Sequence, residues 1–160
     1  YKRQQPRHAL VGQGMTGLYT PAATPDADRE LAESALRSTG QLLWVDDEAL
    51  IDSVTAVSGS GPAYVFFFIE ALEQAGVEMG LTAEQAHQLA VGTFTGASAL
   101  AAASNDTPAV LRQRVTSKGG TTFAAISSME ADRVKDSIVR ALHAARLRAQ
   151  ELEQEFGRAD

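Results

Sequence analysis

Apolar positions recur at helical spacing through most of this chain, and strand-like runs occur only before residue 46. Ala9-Leu10-Val11 predicts a short strand running into Gly12. Thr24-Pro25-Asp26 then predicts a helix start, with a hydroxyl N-cap, proline at the first position and an acid in the first turn. Leu31, Ala32, Ala35 and Leu36 fall on one face of that helix, Gly40 stops it, and Gln41-Leu42-Leu43-Trp44-Val45 reads as a second strand. Strand, helix, strand is the tail of an α/β unit. Two strands do not form an independently stable sheet, so this stub either packs on the helices or belongs to a larger sheet.

Beyond Asp46 the pattern is helical throughout. One helix is predicted from Glu48 to Val57, broken at Ser58-Gly59-Ser60-Gly61. Pro62 opens the next, which carries Ala63 to about Val77 and ends near Gly80. Thr82-Ala83-Glu84-Gln85 is a capping-box pattern that opens a long helix to about Ala103. Gly92, Gly96, Ala97, Ala99 and Ala101 make that helix one that neighbours can approach closely. Thr107-Pro108 starts a short helix to about Val115, a further helix follows from Thr122, and a break falls near Ala131-Asp132. In the last helix, to about Glu155, Val134, Ile138, Ala141, Leu142, Ala145 and Leu152 keep helical spacing. Arg140, Arg146, Arg148 and Glu151 are expected to face water.

Composition narrows the function classes. At 160 residues, 44% hydrophobic and 21% charged, the chain suits one globular domain, or one carrying a piece of another. A net charge of -6 argues against nucleic acid or an anionic membrane as partner. With no cysteine there is neither a disulfide framework nor a thiolate metal site, which is compatible with a cytoplasmic protein. His8, His87 and His143 lack ligand spacing, so no metal site is expected. The densest apolar run, Ala63 to Ile69, is closed by Glu70 and reads as buried helix rather than a membrane span. Tyr1 to His8 is polar and basic with no apolar segment behind it, so no signal peptide is expected there.

Two stretches retain chemical interest after the decoys are set aside. Gly12-Gln13-Gly14-Met15-Thr16-Gly17 spells G-x-G-x-x-G, but it leads to Leu18-Tyr19-Thr20-Pro21 and no helix can open on it, as a dinucleotide loop requires. Asp46-Asp47-Glu48 read as helix-start acids, and no serine-histidine-acid triad can be assembled. Trp44 and Tyr64 read as core or interface aromatics. The first remaining stretch is Ser58-Gly59-Ser60-Gly61-Pro62. The second is Val115-Thr116-Ser117-Lys118-Gly119-Gly120-Thr121-Thr122-Phe123, just ahead of an apolar helical run. Its glycines let a ligand approach the backbone, Thr121 or Thr122 can cap the helix, and the first helical amides form an anion site. Taken alone, the local pattern fits an ordinary polar loop with a helix cap better than a ligand cradle, since capped glycine loops are common.

The same stretches carry a family resemblance. Thr55 to Tyr64, Glu70-Ala71-Leu72 and Gly76 to Leu81 resemble the C-terminal domain of pyrroline-5-carboxylate reductase. Pro108, Leu111, Val115, Thr116-Ser117, Gly119-Gly120, Thr122, Ala125-Ile126 and Met129-Glu130 fit the spacing of that family's signature. Ala9 to Gly12 with Gly14-Met15-Thr16 resembles the last strand of its cofactor domain, so the match runs from Ala9 to about Glu151.

The resemblance implies a mainly α fold. A helical dimerisation domain of the 6-phosphogluconate-dehydrogenase C-terminal type, at 47–156, would follow a β-α-β remnant of a Rossmann domain at 9–46. Residues 1–8 would be an unreliable segment and 157–160 a tail. It further implies the last step of proline biosynthesis, reduction of the C=N bond of 1-pyrroline-5-carboxylate to proline with NADPH or NADH. A homodimer or higher assembly is implied, with the active site between cofactor domain and helical dimer. Ser117, Gly119, Gly120, Thr121 and Thr122 would hold the substrate carboxylate, partly through amides, and Val115 would line the ring. Thr122 is the candidate catalytic residue, hydrogen-bonding the ring nitrogen, and Ser58, Gly59, Ser60, Gly61 and Pro62 would lie near the nicotinamide.

Three departures qualify the likeness. Gln4 to His8 replace a Met-Pro-Asn-Thr-Pro-like segment that touches the cofactor in the family, and Lys118 replaces the proline usual in a Ser-Pro-Gly-Gly turn. The βαβ region with the true glycine-rich fingerprint is absent from these 160 residues. The chain is therefore expected to be a fragment or truncated product, inactive alone, with the dinucleotide bound mainly elsewhere. Its rivals are a non-catalytic helical dimerisation module and a related dehydrogenase for another imine or acid.

Overall fold

The computed structural model describes residues 12–156, with side chains described to residue 155. The predicted strand at Ala9-Leu10-Val11 and the segment Tyr1 to His8 lie outside the described residues. The described chain divides into two compact units, residues 12–64 with 139–156, and Val65–Ile138.

In the first unit, strand β1 (Gly14–Leu18) and strand β2 (Gly40–Trp44) pair in parallel, Gly14 opposite Gly40 and Leu18 opposite Trp44. Parallel strands need a crossover, and helix α1 (Asp26–Leu36) with a 3-10 turn at Arg37–Thr39 supplies it. The glycines that mimic a dinucleotide loop are thus mostly strand. Gly40 adopts φ 135°, and a Cβ there would fall 2.1 Å from the Gly14 carbonyl oxygen, so only glycine allows this start to the pairing. Thr24 does not cap α1. Pro25 holds the cap position without a side-chain bond, while the Thr24 amide closes a turn onto Pro21 at 3.0 Å and its hydroxyl bonds Thr20. The apolar face expected on α1 is only partly covered, with Leu31 exposed. Trp44 is half-buried, its indole donating to Glu33 at 2.7 Å beneath the Arg29 guanidinium.

Helix α2 (Leu50–Val54) follows, and the Asp47 carboxylate accepts from the Ala49 amide at 3.0 Å, the helix-start role expected of this acid run. The predicted break at Ser58 to Gly61 is instead a π-helical turn, Thr55–Gly59, closed by Ser60 N–H to Thr55 O at 2.9 Å. Helix α3 (Gly61–Glu78) begins directly after it. The backbone stays hydrogen-bonded by widening one turn, which a glycine-serine pattern does not announce. Helix α7 (Val134–Phe156) ends in this unit, where Glu155 and Glu151 bond Arg148 at 2.9 and 2.8 Å and push its pKa further up. Arg146 does not simply face water, since its Nε is buried with no hydrogen-bond partner.

The second unit holds most of α3, then α4 (Ala83–Ala103), α5 (Pro108–Arg114), α6 (Thr121–Ala131) and the first turn of α7. Helix α3 closes with a Schellman motif, Leu81 N–H to Gly76 O and Gly80 N–H to Val77 O, both 3.0 Å, with Gly80 at φ 98°. Gly76 is needed for close approach, since a Cβ there would sit 3.0 Å from the Ala86 Cβ. The capping box of α4 is present, Gln85 N–H to Thr82 Oγ1 at 3.2 Å and Thr82 N–H to Gln85 Oε1 at 2.9 Å.

Beyond these joints the helices of this unit barely touch one another. Gly92 and Gly96 face open space, so the close neighbour that α4 can accept is not supplied by the described residues. Ala86 and Ala90 are the buried apolar residues of the unit among the described residues, whereas Phe66 and Phe67 are 58% and 68% exposed. Leu72, Leu89, Leu100, Phe123 and Met129 are exposed as well. No helix among the described residues is long and apolar enough to cross a membrane.

Candidate functional site

The predicted site residues fall into two places, each within one unit. Five of them, with Val115, converge at the junction of α5 and α6. Thr107 caps α5 by accepting from Val110 N–H at 3.4 Å, and Pro108 sits in its first turn. The helix ends at Arg114, and Thr116 folds back, its hydroxyl donating to Arg112 O at 2.7 Å. A tight turn follows, Gly120 N–H to Ser117 O at 3.0 Å, with Gly119 in its third position at φ 77°. Lys118 is not in the left-handed region, so this is a type II turn.

Gly120, extended at φ -81° and ψ 175°, is the N-cap of α6, so the expected threonine cap is corrected. Thr121 and Thr122 are already helical, and no side chain caps the helix. The first bond to its backbone from inside is Ala124 N–H to Gly120 O at 3.1 Å. The amides of Thr121, Thr122 and Phe123 have no acceptor among the described residues, nor have the hydroxyls of Ser117, Thr121 and Thr122 a partner. Three amides, three hydroxyls and the positive end of an 11-residue helix are left open together. A Cβ on Gly120 would lie 2.6 Å from Ser117 Oγ, so glycine here is what lets the serine hydroxyl sit against the helix start. Val115 is exposed beside it.

Sequence reasoning missed the ion pairs that brace this junction. Arg112 Nη1 meets Glu130 Oε1 at 3.2 Å, tying α5 to the far end of α6, and Arg114 pairs with Asp106. Arg112 and Glu130 are 18 positions apart, a spacing that no helical rule flags.

The second place is the π-turn. The Ser58 hydroxyl donates to Met15 O in β1 at 3.3 Å, and the Tyr64 hydroxyl donates to Ala56 O at 3.1 Å. Ser60 ends the widened turn, and Gly61 and Pro62 open α3, Gly61 with open space where a Cβ would stand.

A groove of about 450 Å³ on α3 and the start of α4 is lined by Glu70, Glu73, Gln74, Val77, Glu78 and Ala83. Its three carboxylates repel an anionic ligand, so it does not compete with the open helix start. His87 meets Glu73 at 2.6 Å, and no group of three His, Cys, Asp or Glu among the described residues is arranged for a metal.

A mainly helical domain, led by a β-α-β unit, with uncovered apolar faces and an open helix start at α6: this is the class of an association domain that also carries a polar site. A family profile described as pyrroline-5-carboxylate reductase dimerisation matches residues 48–152, so the chain belongs to that family. The pyrroline-5-carboxylate reductase of Pseudomonas aeruginosa is 47% identical over 149 residues, covering 93% of this chain and 55% of the relative. That of Haemophilus influenzae is 38% identical, covering 92% and 55%. Among solved structures, a pyrroline-5-carboxylate reductase from Coxiella burnetii superposes with a TM-score of 0.84 at 42% identity, covering 89% of this chain and 53% of the other. Plasmodium falciparum pyrroline carboxylate reductase with NADP bound gives 0.81 at 29% identity, covering 90% and 59%. The chain thus spans about half the length of the curated relatives it matches.

Proposed function

We propose that the protein carrying this chain is a pyrroline-5-carboxylate reductase, which reduces the C=N bond of 1-pyrroline-5-carboxylate to proline with NADPH or NADH. The supporting observation is the coincidence of the family's motif with the open start of α6, where unpartnered amides and hydroxyls suit a carboxylate. The described residues do not themselves fit a dinucleotide, because Gly14 and Gly17 lie in β1 and no helix opens on them. We assign cofactor binding to the part of the relatives that this chain does not span. Residues 9–46 are then the end of the cofactor domain and 47–156 the dimerisation and substrate domain.

The chain's own residues bind and orient. The amides of Thr121 and Thr122 with the Ser117 hydroxyl hold the carboxylate, each charge-assisted bond contributing about 1.5–3 kcal/mol. Gly119 and Gly120 keep the approach free of side chains, and Val115 lines the ring. Thr122, in the first turn of α6, hydrogen-bonds the ring nitrogen, which makes the adjacent carbon a better hydride acceptor and fixes the ring for transfer. Ser58 to Pro62 shape the floor near the nicotinamide. Homodimerisation supplies the missing cover for the exposed apolar positions of α3, α4 and α6. A cytoplasmic setting fits a chain without cysteine.

The test is NADPH oxidation with 1-pyrroline-5-carboxylate by the full-length protein carrying this sequence. Turnover that Thr122→Ala slows about a hundredfold supports the assignment. A folded dimer that shows no turnover with NADPH or NADH overturns it in favour of a non-catalytic module.

A further inference from the structure

Three cations, Arg112, Arg114 and Lys118, precede α6 between Pro108 and Gly120. Arg112 is paired with Glu130 and Arg114 with Asp106, so both are largely neutralised by carboxylates of their own unit. Lys118 has no such partner among the described residues and is exposed. It stands at the second position of the Ser117–Gly120 turn, one residue from the Ser117 hydroxyl and two from the helix cap. The turn does not explain this residue. Proline, which presets φ and removes an unneeded N–H, suits the second position of a type II turn best, and the Lys118 amide has no acceptor among the described residues. The position carries a mobile charge in place of a rigid ring.

We propose that Lys118 is a specificity-determining residue, an unpaired cation that draws the substrate carboxylate to the α6 start at the expense of a stiffer turn. This rests on the substrate assignment above. Its charge acts on the carboxylate through partly solvated space, so removing it raises KM for a carboxylate-bearing ring by about three- to tenfold. The effect is screened as salt rises, because the ammonium is exposed. A ring lacking the carboxylate does not sense it.

The experiment measures kcat and KM of the full-length protein for 1-pyrroline-5-carboxylate and for 1-pyrroline, at low and high salt. Wild type, Lys118→Gln, Lys118→Arg and Lys118→Pro are compared. Lys118→Gln and Lys118→Pro are expected to raise KM for the carboxylate substrate at low salt, with kcat little changed. Lys118→Arg is expected to keep the wild-type KM, the gap is expected to close at high salt, and 1-pyrroline is expected to show no difference. An unchanged KM in Lys118→Gln overturns the proposal, as does an equal loss with 1-pyrroline, or a loss that high salt does not reduce. If wild type turns over and Thr122→Ala slows it while Lys118→Gln changes nothing, only the role of Lys118 fails. If wild type does not turn over, the substrate assignment fails and the role of Lys118 with it.

Discussion

Two helix starts in the same unit are built in opposite ways. Helix α4 opens behind Thr82, whose hydroxyl accepts from Gln85 N–H at 3.2 Å while Gln85 returns a bond at 2.9 Å. Helix α6 opens behind Gly120, and nothing among the described residues satisfies its first amides. Threonines stand at both, yet Thr82 precedes its helix and Thr121 and Thr122 lie inside theirs. One residue of displacement turns a hydroxyl from a cap into a free group beside open amides. An acid in the first turn adds to the contrast, since Glu84 complements the α4 dipole and α6 has none. The reciprocal pair stabilises the start of α4, whereas the start of α6 has no such bond among the described residues.

The sharpest way to break this comparison is at Thr122. Thr122→Ala is expected to lower kcat of the full-length protein in the proposed reaction about a hundredfold, read by NADPH oxidation, with no loss of folding stability of comparable size. An unchanged kcat removes Thr122 from the chemistry. Next in size, Gly120→Ala places a methyl 2.6 Å from Ser117 Oγ, which must then move. KM for 1-pyrroline-5-carboxylate is expected to rise at least about tenfold, as charge-assisted bonds to the carboxylate are displaced. Thr82→Ala is expected to do the reverse, costing about 1 kcal/mol in denaturant unfolding and leaving KM unchanged. The smallest effect is expected from Lys118→Pro, a stabilisation of about 0.4–1 kcal/mol from the stiffer turn, seen as a higher denaturant midpoint. A destabilised Lys118→Pro contradicts the type II assignment.

The capped start was legible in the sequence because a capping box is a local pattern: Thr82 and Gln85 bond each other three residues apart. The open start was half legible. Gly119-Gly120 and the flanking hydroxyls announced a cradle, but which residue held the cap depended on a backbone conformation that Thr121 and Thr122 do not encode by themselves. Thr24 misled for a related reason, since Pro21 drew its amide into a turn and left the cap position to Pro25. The π-turn at Thr55–Gly59 was invisible because a serine-glycine run reads as a break whether or not the backbone closes across it. Gly14 to Leu18 hid a strand behind glycines, of which Gly17 has a reason visible only in the folded chain, since a Cβ there would fall 2.6 Å from Val54 Cγ1. The Arg112–Glu130 brace joins residues too far apart for any periodic rule. What carried the family resemblance was the pattern from Thr55 to Leu81 together with the spacing from Pro108 to Glu130, both inside the matched residues 48–152.

The most direct test of the central claim, that the open start of α6 reads a carboxylate, is a comparison of kcat/KM for 1-pyrroline-5-carboxylate and 1-pyrroline in wild type and Ser117→Ala. The account predicts that wild type prefers the carboxylate-bearing ring by about a hundredfold or more, and that Ser117→Ala erodes this preference while leaving 1-pyrroline unaffected. Equal kcat/KM for the two rings in wild type, or an equal loss for both in Ser117→Ala, contradicts it.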